Sequence, residues 1–169
     1  MKPRPMRFLV PAVFVGASLI MVSPSSAQRR AEPAEGGFAP LAGSWSGAGT
    51  ITTKTGQERI RCRVTYSVAP SGAGMRQDLR CASDSYNFQV ASDIQNQGGG
   101  RLAGTWTEVT RNASGSVSGQ MSGGSIQVAV TGPGFTAGLS ISTRGNSQSV
   151  DIRPNGTDIV DVSVNLKRN

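Results

Sequence analysis

From Leu41 to its end, the chain consists of short runs in which apolar and polar residues alternate, separated by clusters of Gly, Ser, Asn and Pro. A period of two is typical of a β-strand that buries one face, and this region shows no convincing 3.6-residue helical period. Closely spaced strands of this kind favour an all-β fold, either an antiparallel up-and-down barrel or a closely related β-sandwich. The predicted strands are 44–53, 58–68, 75–82, 86–93, 101–110, 114–121, 125–131, 135–143, 148–153 and 158–167.

The first 27 residues have the three-part organisation of a secretory signal peptide. Three basic residues lie among the first seven, a mostly apolar run covers 8–22, and small residues precede Gln28 as at a cleavage site. As a helix, this run would span about 22 Å, which is short of the roughly 30 Å apolar core of a bilayer. We therefore expect cleavage near Ala27, a periplasmic or secreted protein, and no stable membrane anchor. An uncleaved anchor is the alternative.

Cleavage of the signal peptide, 1–27, would leave one domain behind a short tail. Residues 28–40 combine proline, glycine and charge without periodicity and predict a disordered leader, whereas 41–169 predict the β-barrel-like domain.

The net charge also depends on cleavage. Three of the 17 basic residues lie in the signal peptide, so its removal would lower the net charge from +7 to +4. The remaining basic residues are spread along the chain, so the sequence predicts no nucleic-acid interface. A weak attraction to anionic envelope surfaces is compatible with this charge.

The two cysteines, Cys62 and Cys81, predict a disulfide, because paired cysteines in exported proteins are usually oxidised. A metal site built on the two thiolates is the alternative, but the chain has no histidine to complete it. A hairpin turning at 70–74 sets the two cysteines opposite each other and Val64 opposite Leu79 on one apolar face. Ile60, Tyr66, Val68 and Met75 share that face. The opposite, solvent-facing side carries Arg61, Arg63, Arg76, Asp78 and Arg80.

A second hairpin is predicted at Gly132-Pro133-Gly134. The apolar residues before this turn have even numbers and those after it have odd numbers, so a two-residue loop is needed to place them on one face. A type II turn with Pro133 and Gly134 in the centre satisfies this condition. The resulting pairs are Val130 with Ala137, Val128 with Leu139 and Ile126 with Ile141.

A third hairpin is predicted at Pro154-Asn155-Gly156. Proline cannot adopt a positive φ, so a type I′ turn cannot begin there. A three-residue loop with Gly156 in the left-handed conformation fits instead. The residues expected on one face are then Val150, Ile152, Val160, Val162, Val164 and Leu166.

A Gly-x-Trp motif opens the first predicted strand, in Leu41-Ala42-Gly43-Ser44-Trp45-Ser46, and the same pattern returns at 102–107 around Trp106. The repeat indicates either two related halves of about five strands or reuse of one strand opening. Gly43 and Trp45 at the first strand of a small exported β-protein resemble the lipocalin and wider calycin signature. That resemblance implies a barrel closed at one end by Trp45 and covered by a late basic residue, Lys167 or Arg168.

Two further segments, Cys-Ala-Ser-Asp-Ser-Tyr at 81–86 and Thr-Arg-Gly-Asn at 143–146, are similar to segments of small exported proteins of alphaproteobacteria. This resemblance implies envelope localisation and no particular activity.

The absence of histidine excludes Ser-His-Asp and Cys-His catalysis and imidazole metal sites, so we predict a protein that is not an enzyme and needs no cofactor. Paired carboxylates remain conceivable, and Glu108 is the candidate for such chemistry. If Trp106 faces inward, alternation places Glu108 on the same side, where burial would raise its pKa. The alternative is a solvated Glu108, or one paired with an arginine such as Arg111.

Two functions fit these observations. The first is a lipocalin-like binding protein for a small apolar or amphipathic ligand, with Trp45, Trp106, Tyr66 and Glu108 as residues that line the site or close the barrel. The second is a non-catalytic envelope module with a solid core that binds protein or glycan through its outer face and loops. Whether the interior is hollow decides between them, and the sequence leaves this open.

Overall fold

Ten antiparallel strands account for most of residues 37–169, the part of the chain that the computed structural model describes. A short 3₁₀-helix, η1 (Ala39–Leu41), precedes them. The strands are β1 (Gly43–Thr53), β2 (Gln57–Val68), β3 (Gly74–Ala82), β4 (Asn87–Asn96), β5 (Arg101–Glu108), β6 (Ala113–Ser122), β7 (Ser125–Gly132), β8 (Phe135–Arg144), β9 (Ser147–Asn155) and β10 (Ile159–Arg168).

The sheet closes into an up-and-down barrel. Each strand pairs with its neighbour in sequence, and β1 also pairs with β10, so no edge remains. The barrel prediction is therefore confirmed over the sandwich, and all ten predicted strands are present with ends that differ by at most three residues. Glycine makes the closure possible, since a Cβ at Gly47 or Gly49 would overlap carbonyl oxygens of β10.

The register of the first two hairpins agrees with the prediction. Cys62 lies opposite Cys81 and Val64 opposite Leu79, and the two cysteine sulfur atoms lie 2.09 Å apart, at disulfide distance. In the second hairpin, Val128 lies opposite Leu139, and Pro133 and Gly134 form the two-residue loop. The alternating burial that defined these registers therefore also sets the inner face of the barrel.

The third hairpin departs from the prediction at Val160. Val162, Val164 and Leu166 are buried as expected, but Val160 is 48% exposed. The pairing of β1 with β10 shifts between Thr52 and Thr53, so Thr53 lies opposite Ile159. This irregularity turns Ile159 toward the core and Val160 outward. Gly156 has the expected positive φ of 89°, although the connection between β9 and β10 begins only after Asn155.

The described part of the predicted disordered leader is ordered. Phe38 is fully buried in the core, and its backbone N–H donates a 2.9 Å hydrogen bond to the carbonyl of Gly72. The folded domain thus begins before Leu41, because one aromatic side chain fixes the segment. The predicted signal peptide, and residues 28–36 of the leader, lie outside the described residues. Within residues 37–169, no helix is long and apolar enough to cross a membrane.

Candidate functional site

The barrel has two unlike ends. We call the end that carries residues 37–42 and the C-terminal residues the closed end. The opposite end, which carries the connections 54–56, 83–86, 109–112, 133–134 and 156–158, is called the mouth. Since the strands alternate in direction, every odd-numbered strand runs from the closed end to the mouth.

Trp45 fills the closed end. Its ring is fully buried, and its Nε1 donates a 2.8 Å hydrogen bond to the carbonyl of Leu41. The guanidinium of Arg168 lies 4.3 Å from the ring centroid and donates to the carbonyls of Ala42 and Pro40. Of the two basic residues proposed to cover Trp45, Arg168 therefore does so. Lys167 instead donates a 2.6 Å hydrogen bond to Ser147.

Tyr66 belongs to a buried polar network at this same end. Its hydroxyl donates a 3.0 Å hydrogen bond to Oε1 of Gln148, whose Nε2 donates a 3.0 Å hydrogen bond to Oγ1 of Thr143. Burial raises the pKa of Tyr66, and the hydrogen bond to Gln148 opposes that rise only in part. These polar groups satisfy one another, so Tyr66 and Trp45 close the barrel and do not line its cavity.

A cavity of about 540 Å³ occupies the barrel interior between Phe38 and the mouth. Nine of the ten strands, β2 to β10, contribute apolar side chains to its wall, whereas β1 contributes none. The interior is therefore hollow. The apolar wall consists of Ile60, Met75, Leu79, Val90, Ile94, Leu102, Val117, Ile126, Val128, Val130, Ala137, Leu139, Ile141, Ile152 and Val162.

Trp106 lines this cavity. It is 7% exposed, its ring centroid lies 5.6 Å from that of Phe135, and its Nε1 donates a 2.9 Å hydrogen bond to the carbonyl of Thr131. A Cβ at Gly115 would lie 2.7 Å from that Nε1, so only glycine leaves room for the indole to cross β6. Of the four predicted site residues, Trp106 and Glu108 therefore border the cavity, whereas Trp45 and Tyr66 do not.

Aromatic rings surround the mouth. Tyr86 and Phe88 stack with their ring centroids 6.0 Å apart, and the guanidinium of Arg111 lies 5.4 Å from the Phe88 ring centroid. Arg111 also donates a 3.0 Å hydrogen bond to the carbonyl of Asn87. All three side chains border the cavity. At the mouth, the border of the cavity therefore combines aromatic faces with the positive charge of Arg111.

Glu108 faces inward as the alternation predicted, but its environment differs from the expected one. Burial is the largest single influence and raises its pKa, but the hydrogen bonds from Thr110, Gln89 and Arg111 together outweigh burial and lower the pKa to about 2. The donors are Oγ1 of Thr110 at 2.6 Å and the backbone N–H groups of Gln89 at 3.0 Å and of Arg111 at 2.6 Å.

The expectation of a raised pKa for Glu108 was wrong, because the tight 109–112 turn aims its amides at the carboxylate. The alternative, pairing of Glu108 with Arg111, is confirmed, because Nη1 of Arg111 lies 3.7 Å from Oε1 of Glu108. Glu108 therefore holds this turn and orients Arg111 at the mouth.

Two polar residues of the cavity wall, Gln77 and Ser92, were not predicted as site residues. The position of Gln77 could have been predicted from the sequence. The register that pairs Cys62 with Cys81 also places Gln77 on the apolar face, between Met75 and Leu79. Within residues 37–169, no group of three or more cysteine, aspartate or glutamate side chains is arranged to hold a metal ion.

Comparisons with known proteins show the fold. No protein-family model matches the sequence, and no curated protein matches it significantly. The solved structure of Rv2717c from M. tuberculosis is similar, with 14% identity and a TM-score of 0.58 over 78% of this chain and 94% of that chain. A de novo designed fluorescence-activating β-barrel has 11% identity and a TM-score of 0.43 over 76% of this chain and 93% of the design. The first likeness supports the barrel architecture.

Proposed function

We propose that this protein is an exported, lipocalin-like binding protein that carries a small apolar or amphipathic ligand in its lumen. The observation that carries the proposal is the apolar cavity of about 540 Å³, closed at one end and bordered by aromatic rings at the other. Ligand sites in proteins commonly enclose about 300–1,000 Å³ and are lined mainly by apolar side chains. This barrel has ten strands, whereas lipocalin barrels have eight. A barrel with more strands is wider and encloses more interior space.

The charges support an amphipathic ligand. The charged side chains that border the cavity, Glu108, Arg111 and Asp158, all lie toward the mouth, while the deeper wall is almost entirely apolar. Glu108 is occupied by the hydrogen bonds of its turn, whereas the side chain of Arg111 remains 53% exposed. A ligand with an apolar body and a polar or anionic end would place the body in the lumen and that end beside Arg111.

The alternative function, an envelope module that binds through its outer face, assumes a solid core. The hollow interior favours ligand binding instead, since an empty apolar lumen costs packing energy that a purely structural core would avoid. We therefore propose binding in the lumen and no catalytic role.

Titration with hexadecanoic acid tests this proposal through tryptophan fluorescence. The Trp45→Phe variant keeps Trp106 and should show a saturable change in fluorescence, whereas the Trp106→Phe variant keeps only Trp45 and should show little change.

Filling of the cavity is a second test. Ala137→Phe fills the cavity and should weaken binding by at least tenfold, while the matched outer-face variant Ala129→Phe should bind normally. Absence of saturable binding, or equal weakening by both phenylalanine variants, would contradict a luminal site.

A further inference from the structure

The luminal wall is mostly apolar, but one row of neighbouring residues across three strands contains two polar side chains. Gln77 on β3 lies directly opposite Ser92 on β4, and Ser92 lies directly opposite Trp106 on β5. All three border the cavity. Apolar residues lie on both sides of this row, with Leu79 toward the mouth and Met75 toward the closed end.

The two polar side chains have no hydrogen-bond partner among the described residues. Within residues 37–169, neither the amide of Gln77 nor the hydroxyl of Ser92 forms a hydrogen bond with another group. The amide carries one acceptor and two donors, and the hydroxyl can act in both ways. By contrast, Tyr66, Gln148 and Thr143 satisfy one another at the closed end. Gln77 and Ser92 are only partly buried, so their polar atoms are accessible from the cavity, and a ligand that displaces water from them must replace its hydrogen bonds.

We propose that Gln77 and Ser92 form a polar subsite that binds a neutral hydrogen-bonding group, such as a hydroxyl, carbonyl or amide, in the interior of the ligand. This inference rests on the proposed function and specifies its ligand class. The group is neutral because the charged residues that border the cavity lie toward the mouth. A charged group at this depth would lose its hydration without gaining a counter-charge.

The depth of the subsite sets where that group lies in the ligand. Gln77 is five residues from Ala82, the last residue of β3 at the mouth. Five residues of strand cover about 16 Å, and the tilt of barrel strands reduces this to a depth of about 12 Å. Met75 and Ile94 continue the apolar wall beyond the subsite. The ligand therefore has apolar segments on both sides of its internal polar group.

A positional series tests the subsite directly. Dissociation constants are measured for hexadecanoic acid and its monohydroxy positional isomers with the complete mature protein. We expect affinity to peak for a mid-chain hydroxyl, about tenfold tighter than for the unsubstituted acid, since one hydrogen bond to a buried partner contributes about that factor. In the double variant Gln77→Leu/Ser92→Ala, the peak should disappear and the unsubstituted acid should bind at least as tightly as every isomer.

A matched variant and two outcomes make the result decisive. Ser118→Ala/Gln127→Leu makes the same changes on the exposed outer face and should keep the positional peak. Thermal unfolding establishes that both double variants are folded. Binding of the unsubstituted acid with a flat positional profile would overturn the subsite and leave the proposed function intact. Failure of every probe to bind the wild-type protein would overturn both.

Discussion

The two Gly-x-Trp segments show how one local sequence acquires two roles. Trp45 is fully buried, donates to Leu41 four residues earlier and lies beneath Arg168. Trp106 donates across β6 to Thr131, packs against Phe135 and borders the cavity. One tryptophan therefore closes the barrel and the other forms part of the proposed binding surface.

The difference comes from where each segment begins within its strand. Gly43 is the first residue of β1, whereas Gly104 is the fourth of β5. Both strands start at the closed end, so Trp106 lies three residues, about 10 Å, farther along its strand than Trp45. A repeat of five-strand halves would place the second motif on β6, so its position on β5 favours reuse of one strand opening.

Truncation of the two tryptophans should separate these roles and gives the largest expected effect. Trp45→Ala removes a fully packed ring and should lower the free energy of unfolding by about 3–5 kcal/mol. Trp106→Ala should cost about 2 kcal/mol, because part of its ring already faces empty space and has fewer contacts to lose. Urea unfolding measures both. Equal losses would show that the two rings are packed alike.

Removal of the disulfide tests whether the closed end and the mouth of the barrel unfold together. Cys62 lies opposite Gly47, two residues from Trp45, and Cys81 lies opposite Phe88 at the mouth. Cys62→Ala/Cys81→Ala should lower the free energy of unfolding by about 3 kcal/mol, since the unfolded chain gains the freedom of a loop of 19 residues. Within each single-tryptophan protein, tryptophan fluorescence and far-ultraviolet circular dichroism should report the same midpoint. Separate midpoints would mean that the closed end and the mouth unfold independently.

The effect of Glu108 is confined to the mouth and to acid, so it is the most local of the three. Its pKa falls from 4.5 to about 2 on folding, so the carboxylate stabilises the folded state above about pH 4.5. That stabilisation is lost as the pH falls from 4.5 through 2. Glu108→Gln should therefore flatten the decline in stability over this range, as measured by urea unfolding at several pH values. The exposed-turn variant Asp84→Asn serves as the control, and equal flattening by both variants would refute a special role for Glu108.

The sequence predicts the walls of the barrel better than its ends. Alternation and turn chemistry are local, so they suffice to place Cys62 opposite Cys81 and Val128 opposite Leu139. Val160 was placed on the wrong face because the irregularity that turns it outward arises where β10 meets β1, more than 100 residues away in sequence. Phe38 was missed for the same reason, since its burial depends on closure of the barrel.

The candidate site was only partly predictable. Gln77 and Trp106 could be placed on the inner face by register alone. Whether that face encloses space depends on strand number and tilt and on how far the side chains reach across the barrel, which only the closed structure provides. The pKa of Glu108 likewise depends on amides that a tight turn brings together.

The lumen is an open apolar space that lies next to Trp106 and not next to Trp45. A crystal of the protein pressurised with xenon tests it directly, because xenon binds in empty apolar cavities. We predict bound xenon in the lumen among Val117, Val128 and Leu139, and none around the ring of Trp45. A lumen without xenon, filled by converging side chains, would contradict the account.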